Sequence, residues 1–192
     1  MIVLIAACEC YTCEALAMSS MSPQDRAFLD KFKLWKHRPK DFTPGSDDDP
    51  TPQQVYADLM KTTFAPALRA AGLKGSSGRF EMPSDRYWVQ LGFQKSAYSD
   101  SEELQFTVNL SVIDREVWAD QLAGRPHLGK RPKPSTHYGA WAEQIRIGRL
   151  TPAREDLWWS LKRGEKPDAI AEQVISALLD LAVPWLAAQS RA

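Results

Sequence analysis

The chain has 192 residues, of which 44% are hydrophobic and 25% are charged. These values are typical of globular proteins, and the length favours one domain whose core needs neither a disulfide nor a metal. Lysine plus arginine equals aspartate plus glutamate at 24 each, which argues against a nucleic-acid partner because such proteins usually carry a basic excess.

Residues 1–21 are expected to be a disordered or mis-called extension rather than part of the fold. They hold all the cysteines of the chain: Cys8, Cys10 and Cys13. The apolar run before Cys8 resembles a lipoprotein signal but lacks a basic start, and no fourth ligand lies nearby for a zinc site. We favour a translation start at Met18 or Met21 over Met1. A body without cysteine fits a cytoplasmic location, and no run reaches the roughly 20 apolar residues of a membrane span.

Helical periodicity marks two segments before the first strand. Residues 22–35 carry apolar side chains at i, i+4 and i+7, and an acidic linker follows over 36–50. A second helix over 51–71 begins at a capping Thr51 and ends before Gly72. Its apolar stripe predicts a face packed on the core: Val55, Leu59, Met60, Phe64 and Leu68.

The hydrophobic period then changes from 3.6 to 2. Apolar and polar side chains alternate over 87–94 and again over 104–112, and Phe80 and Met82 predict a shorter strand before them. Strict alternation predicts one buried face and one open face. That arrangement is typical of an antiparallel sheet.

The remaining predicted elements are a short helix, a basic proline-rich loop, two paired strands and a final helix: 114–122, 125–134, 144–150, 157–161 and a helix from Asp168. Pro184 is expected to kink or end the final helix. Strands in one run with helices at both ends indicate the α+β class. We therefore expect one domain over 51–190, with an antiparallel sheet of about five strands and the N- and C-terminal helices packed on one face.

The second face of this sheet carries few of the lysines and glutamates that a solvated face usually has. By parity it holds amides, hydroxyls, indoles and one guanidinium: Trp88, Gln90, Gln94, Thr107, Asn109, Arg146, Trp158 and Ser160. Amides and aromatic rings together can bind a polar ligand or a partner protein. In the alternative, the loop over 125–142 covers this face and the tryptophans are simply packed.

Signatures of catalysis are absent from the sequence. It has no nucleophile elbow, no phosphate loop and no paired histidine or cysteine spacing, so neither a metal nor a cofactor is expected. His137, beside Tyr138, is the histidine that could act in a cleft. The candidate binding residues are those of the second face together with this histidine: Trp88, Gln90, Gln94, Asn109, His137, Arg146 and Trp158.

Short motifs spread over residues 52–188 resemble a bacterial family known as domain of unknown function 4304. They are Gly72-Leu73, Arg79-Phe80, Trp88-Val89-Gln90, Gln94-Lys95-Ser96, the run from Phe106 to Leu110, the run from Arg146 to Leu150, Trp158-Trp159 and the run from Val183 to Leu186. Their order and spacing carry the resemblance. It implies a cytoplasmic bacterial protein and assigns no activity.

We expect a non-catalytic binding module that uses the second sheet face to hold a protein partner or a small polar ligand. One form of this hypothesis is an immunity-type protein that caps a toxin. The alternative is an enzyme of unrecognised type, such as a hydrolase that uses His137 with Arg146 and nearby carboxylates. The identity of the ligand and the oligomeric state stay open.

Overall fold

The structure is a computed structural model, and it describes residue 46 and residues 48–190. The predictions made for residues 1–21, for the helix over 22–35 and for most of the linker lie outside the described residues.

The first described helix runs through three consecutive segments. Helix α1 (Pro52–Leu59) passes through a π-helical turn (Met60–Phe64) into α2 (Ala65–Ala70). At its start, Thr51 and Gln54 form a capping box: the Thr51 Oγ1 accepts the Gln54 backbone N–H and the Gln54 Oε1 accepts the Thr51 backbone N–H. These reciprocal bonds satisfy amides that a helix start leaves without partners. The capping that the sequence predicts is thus confirmed.

In the described part of the chain, six strands form one antiparallel sheet, one more than the approximate number expected. Their bounds are β1 (Lys74–Ser76), β2 (Arg79–Met82), β3 (Tyr87–Lys95), β4 (Glu103–Asp114), β5 (Glu143–Arg146) and β6 (Trp159–Lys162). The order is β1-β2-β3-β4-β5, and β6 also pairs with β4. Strands β3 and β4 are the long central pair, with Leu91 opposite Leu110 and Gly92 opposite Asn109.

The last two strands do not pair with each other, so the predicted second strand pair is wrong in its pairing. Strand β5 pairs with residues Asn109–Val112 of β4, and β6 pairs with residues Glu103–Phe106 of the same strand. Because β6 occupies the other half of this edge, β5 stops at Arg146, and the predicted strand continues instead as a 3-10 turn (Ile147–Leu150).

Helices from both ends of the described chain cover the apolar face of the sheet, as expected. The rings of Tyr56 and Phe106 lie 5.1 Å apart between centroids, and those of Phe64 and Phe93 are stacked at 5.7 Å. The C-terminal helical run consists of α4 (Asp168–Ala177), a π-helical turn (Leu178–Ala182) and α5 (Val183–Gln189). Its buried residues complete this core: Val174, Ala177, Leu178, Ala182 and Leu186.

The C-terminal run, Asp168–Gln189, is long and apolar enough to cross a membrane by length and composition alone. Core helices of soluble proteins meet the same criterion. About 39% of its apolar window is buried inside the domain, and the buried residues are those that pack on the sheet.

Pro184 does not end the final helix, which continues to Gln189. A π-helical turn ends two residues before each of Pro66 and Pro184. In each case the amide of the intervening residue donates to the carbonyl five residues earlier: Ala65 to Met60 and Val183 to Leu178. Proline lacks an N–H and crowds the carbonyl four residues before it. The wider π turn accommodates this crowding, so the helix passes through the proline.

The second face of the sheet is less open than strict alternation predicts. Every residue from 106 to 113 of β4 is buried. Helix α3 (Arg115–Gly124) and the irregular segment 126–142 bring their own aromatic side chains to this face, where Trp118 and Ala142 pack with Ile113. The alternative in which the loop covers this face therefore holds for the half of the sheet nearest α3.

Candidate ligand-binding site

A pocket of about 280 Å³ remains where segment 126–142 leaves the sheet. Its size is near the lower end of the range for small-molecule sites. Amides, hydroxyls, one histidine and one arginine supply its polar lining, and its residues are Gln94, Asn109, Leu110, Pro134, Ser135, Thr136, His137, Gln144, Ile145 and Arg146. No acidic residue is among them.

Asn109 and Gln94 form the floor of the pocket in one fixed arrangement. The Asn109 Nδ2 donates to the Gln94 Oε1 at 2.8 Å and to the Ser135 Oγ at 3.2 Å. These two bonds use both hydrogens of the Asn109 amide. Within the described part of the chain, the Asn109 Oδ1 accepts no hydrogen bond and the Gln94 Nε2 donates none, so an acceptor and a donor stay free side by side.

Arg146 stands next to Asn109 because these two residues are register partners on β5 and β4. Its Nη1 is bonded to the Asp156 carboxylate, which also accepts the Trp158 indole N–H at 3.0 Å. The guanidinium lies over the Trp158 ring with its carbon 5.1 Å from the ring centroid. One edge of the guanidinium is therefore anchored, and its Nε and Nη2 make no hydrogen bond to any described residue.

The roof of the pocket is tied to β5 through Gln144. Its Nε2 donates to the Thr136 carbonyl at 2.6 Å, and its Oε1 accepts the Tyr138 backbone N–H at 2.9 Å. The Tyr138 hydroxyl in turn accepts the Lys133 backbone N–H at 2.8 Å. These bonds hold residues 133–138 as a fixed loop above the sheet.

Gly92 allows this loop to reach the sheet at all. A Cβ at this position would lie 2.5 Å from the Pro134 Cγ and 3.3 Å from the Ser135 Oγ. The missing side chain thus makes room for Pro134, which forms one wall of the pocket.

Residues 64–188 match the family model described as Domain of unknown function (DUF4304). The chain belongs to this family. The matched range contains every residue that lines the pocket. No curated protein and no solved structure matches the chain significantly.

Within the family's range, the structure brings together four of the seven predicted binding residues at the pocket: Gln94, Asn109, His137 and Arg146. Trp158 adjoins them beneath the Arg146 guanidinium. His137 is exposed at the rim, and no described carboxylate forms an ion pair or hydrogen bond with it.

Trp88 and Gln90 lie elsewhere, under the covered half of the sheet. The Trp88 ring has two guanidinium groups over it, with the Arg115 carbon at 3.7 Å and the Arg131 carbon at 4.7 Å from its centroid. Both arginines also approach the Glu81 carboxylate at 3.6 Å, and Gln90 is buried with its Nε2 3.5 Å from the same group. This cluster fastens the loop and takes no part in the pocket.

Sequence reasoning missed the roof residues and Asp156. The alternation in the 144–150 segment does indicate one of them, Gln144, because residues two apart on a strand share a sheet face and Arg146 is on the second face. In the sequence alone, Asp156 has no feature that distinguishes it from an ordinary carboxylate at the end of an element. The contact of Asp156 with Arg146 depends on β5 and β6 lying end to end along β4, which the sequence does not indicate.

Proposed function

We propose that this domain is a non-catalytic binding module that holds a small polar ligand in the pocket between the second sheet face and residues 134–137. The observation that carries the proposal is the free donor of Gln94 beside the free acceptor of Asn109, at the floor of a 280 Å³ space. A donor and an acceptor that face an open pocket side by side can both pair with one polar ligand, and such convergent polar groups fix the orientation of a ligand.

The rigidity of the site supports this proposal. Gln144 and Asn109 both form hydrogen bonds to the loop, Gln144 to Thr136 and Tyr138 and Asn109 to Ser135. The pocket is thus formed before a ligand enters, and little side-chain or loop entropy is lost on binding. Preformed pockets with a few convergent polar groups are typical of ligand sites. A protein partner, including the toxin of an immunity pair, would engage the same groups by inserting a side chain or a chain end. The cytoplasmic location and bacterial origin stay predictions.

The enzyme alternative has less support from the described residues. A histidine that acts as a base is usually oriented by a hydrogen-bonded carboxylate or carbonyl. No hydrogen bond orients the His137 ring in the described part of the chain. The binding hypothesis is therefore the one to test first.

The test is an NMR titration of the full chain with three small probes: N-acetylglycine, N-acetylglycinamide and inorganic phosphate. We expect at least one probe to give saturable amide shifts near residues 94, 109 and 135, with a dissociation constant on the order of a millimolar. Asn109→Ala and Gln94→Ala should abolish these shifts. Gln105→Ala is the matched control, because Gln105 lies on the same sheet face outside the pocket. No saturable shift with any probe would contradict the proposal.

A further inference from the structure

We infer that the ligand of this pocket is a small carboxylate with a polar group next to it, and that Arg146 binds the carboxylate. This inference rests on the proposed function and names the chemical class of its ligand. It follows from the charge of the lining, the orientation of one guanidinium and the spacing of the neighbouring amides.

The lining is suited to one negative charge. Among the described residues that line the pocket, Arg146 is the only one with a permanent charge, and Asp156 balances part of that charge from outside the lining. Phosphate carries more negative charge near neutral pH, close to two in a phosphomonoester, and usually meets several basic groups. A carboxylate matches the smaller positive charge, and its two oxygens fit the planar fork of an arginine.

The guanidinium is oriented before the ligand arrives. Asp156 holds its Nη1 and Trp158 lies under its plane. The remaining edge, with Nε and Nη2, is the edge that can form a bidentate contact. Asp156 and Trp158 act as positioning residues, since neither lines the pocket.

The polar group beside the carboxylate is inferred from the strand register. Asn109 and Arg146 are directly opposite each other on β4 and β5, and such pairs place their Cβ atoms roughly 4.5–5.5 Å apart. The Asn109 Oδ1 can accept an N–H, and the Gln94 Nε2 can donate to a carbonyl. An amide one carbon away from the carboxylate, as in N-acetylglycine, presents both of these groups.

The experiment compares N-acetylglycine with N-acetylglycinamide, which has the same shape without the charge, and with inorganic phosphate. We expect the full chain to bind N-acetylglycine about tenfold more tightly than the amide, a ratio typical of one charge-assisted contact at a partly exposed site. Arg146→Gln should reduce this ratio to about one. Arg146→Lys should give an intermediate ratio because it keeps the charge but loses the fork.

Trp158→Ala tests the positioning role separately. It removes the ring below the guanidinium without changing any charge, so the carboxylate-to-amide ratio should fall severalfold while binding of the amide stays unchanged. A merely structural role would weaken both probes equally. Gln105→Ala again serves as the control and should leave the ratio unaltered.

The outcomes separate this inference from the proposed function. If the amide binds as tightly as the carboxylate and Arg146→Gln changes nothing, the pocket is a binding site but the carboxylate inference is wrong. Tighter binding of phosphate than of N-acetylglycine would also overturn it. If no probe binds, both the inference and the proposed function are contradicted.

Discussion

Gly92→Ala is the substitution for which the structure predicts the clearest effect on the pocket. The added Cβ would lie 2.5 Å from the Pro134 Cγ and 3.1 Å from the Pro134 Cβ. Ordinary contact begins near 3.4 Å, so the loop must retreat by about 1 Å. Pro134 cannot avoid the contact by changing rotamer because its ring is joined to the backbone.

The magnitude follows from two opposing effects. Overpacking by a methyl group at a closely packed position costs about 1–3 kcal/mol. Replacing glycine in a strand returns about 0.5–1 kcal/mol through the lower entropy of the unfolded chain. We therefore expect Gly92→Ala to lower the free energy of unfolding by about 1.5 kcal/mol. For a chain of this length, that corresponds to a fall in Tm of roughly 3–6 °C.

Urea denaturation measures this loss, and amide hydrogen exchange locates it. Exchange should accelerate at residues 135–137, which the loop contact holds in place, and should not change in α1. Gly124→Ala is the matched control, since a Cβ at Gly124 would meet nothing within 4 Å. Adding Pro134→Ala removes the nearest atom and should restore part of the lost stability. A Gly92→Ala variant with wild-type stability and wild-type exchange in the loop would refute the close contact and this account of the pocket wall.

Three further predictions concern the core, a turn and a helix cap. Phe64 is fully buried, so Phe64→Ala should cost about 3–5 kcal/mol in urea denaturation; a cost below 1 kcal/mol would show that the helices do not pack on the sheet as described. Ser77 has a φ of 51° in the hairpin turn between β1 and β2, so Ser77→Asn should raise the unfolding free energy by about 0.5 kcal/mol, whereas a loss would contradict this turn geometry. The backbone N–H of Glu116, with smaller contributions from Arg86, lowers the pKa of Asp114. The ionised Asp114 carboxylate therefore stabilises the fold above the ordinary aspartate pKa of about 3.9, and this stabilisation is lost as the pH falls through the lowered pKa. Urea midpoints between pH 7 and pH 3 should therefore fall less steeply for Asp114→Asn than for the wild type, and equal slopes would contradict this linkage.

The central strands were predictable from sequence because their signal is local. Alternation over 87–94 and 104–112 fixes which side chains share a face, and the observed register keeps that division. Alternation does not identify the neighbour of a strand, however, so the arrangement of β5 and β6 along β4 was missed. Pro184 shows a second limit. The local rule for proline predicts a kink or an end at this position, and the helix instead continues to Gln189 because a π turn lies upstream.

The coverage of the second face depended on information that no local pattern contains. The segment 126–142 has no regular period, and distant contacts set its position: Pro134 on Gly92, and Arg131 on Trp88 and Glu81. Parity alone placed Gln94, Asn109 and Arg146 on one face, and they do meet at the pocket. Parity also grouped Trp88 and Gln90 with them, because it does not reveal where a covering loop begins and ends.

One row of residues across the sheet explains why the pocket forms where it does. Arg79, Gly92, Asn109 and Arg146 are successive register partners on β2, β3, β4 and β5. At Gly92 the row has no side chain, so Pro134 packs directly on the strand backbone and fills that position. At Asn109 the side-chain amide donates to the Ser135 Oγ, and its carbonyl oxygen accepts no hydrogen bond from any described residue. Gly92 therefore determines the position of the pocket wall, Pro134, and the adjacent Asn109 forms the pocket floor. A side chain at position 92 should weaken ligand binding by displacing Pro134, although it would not contact the ligand.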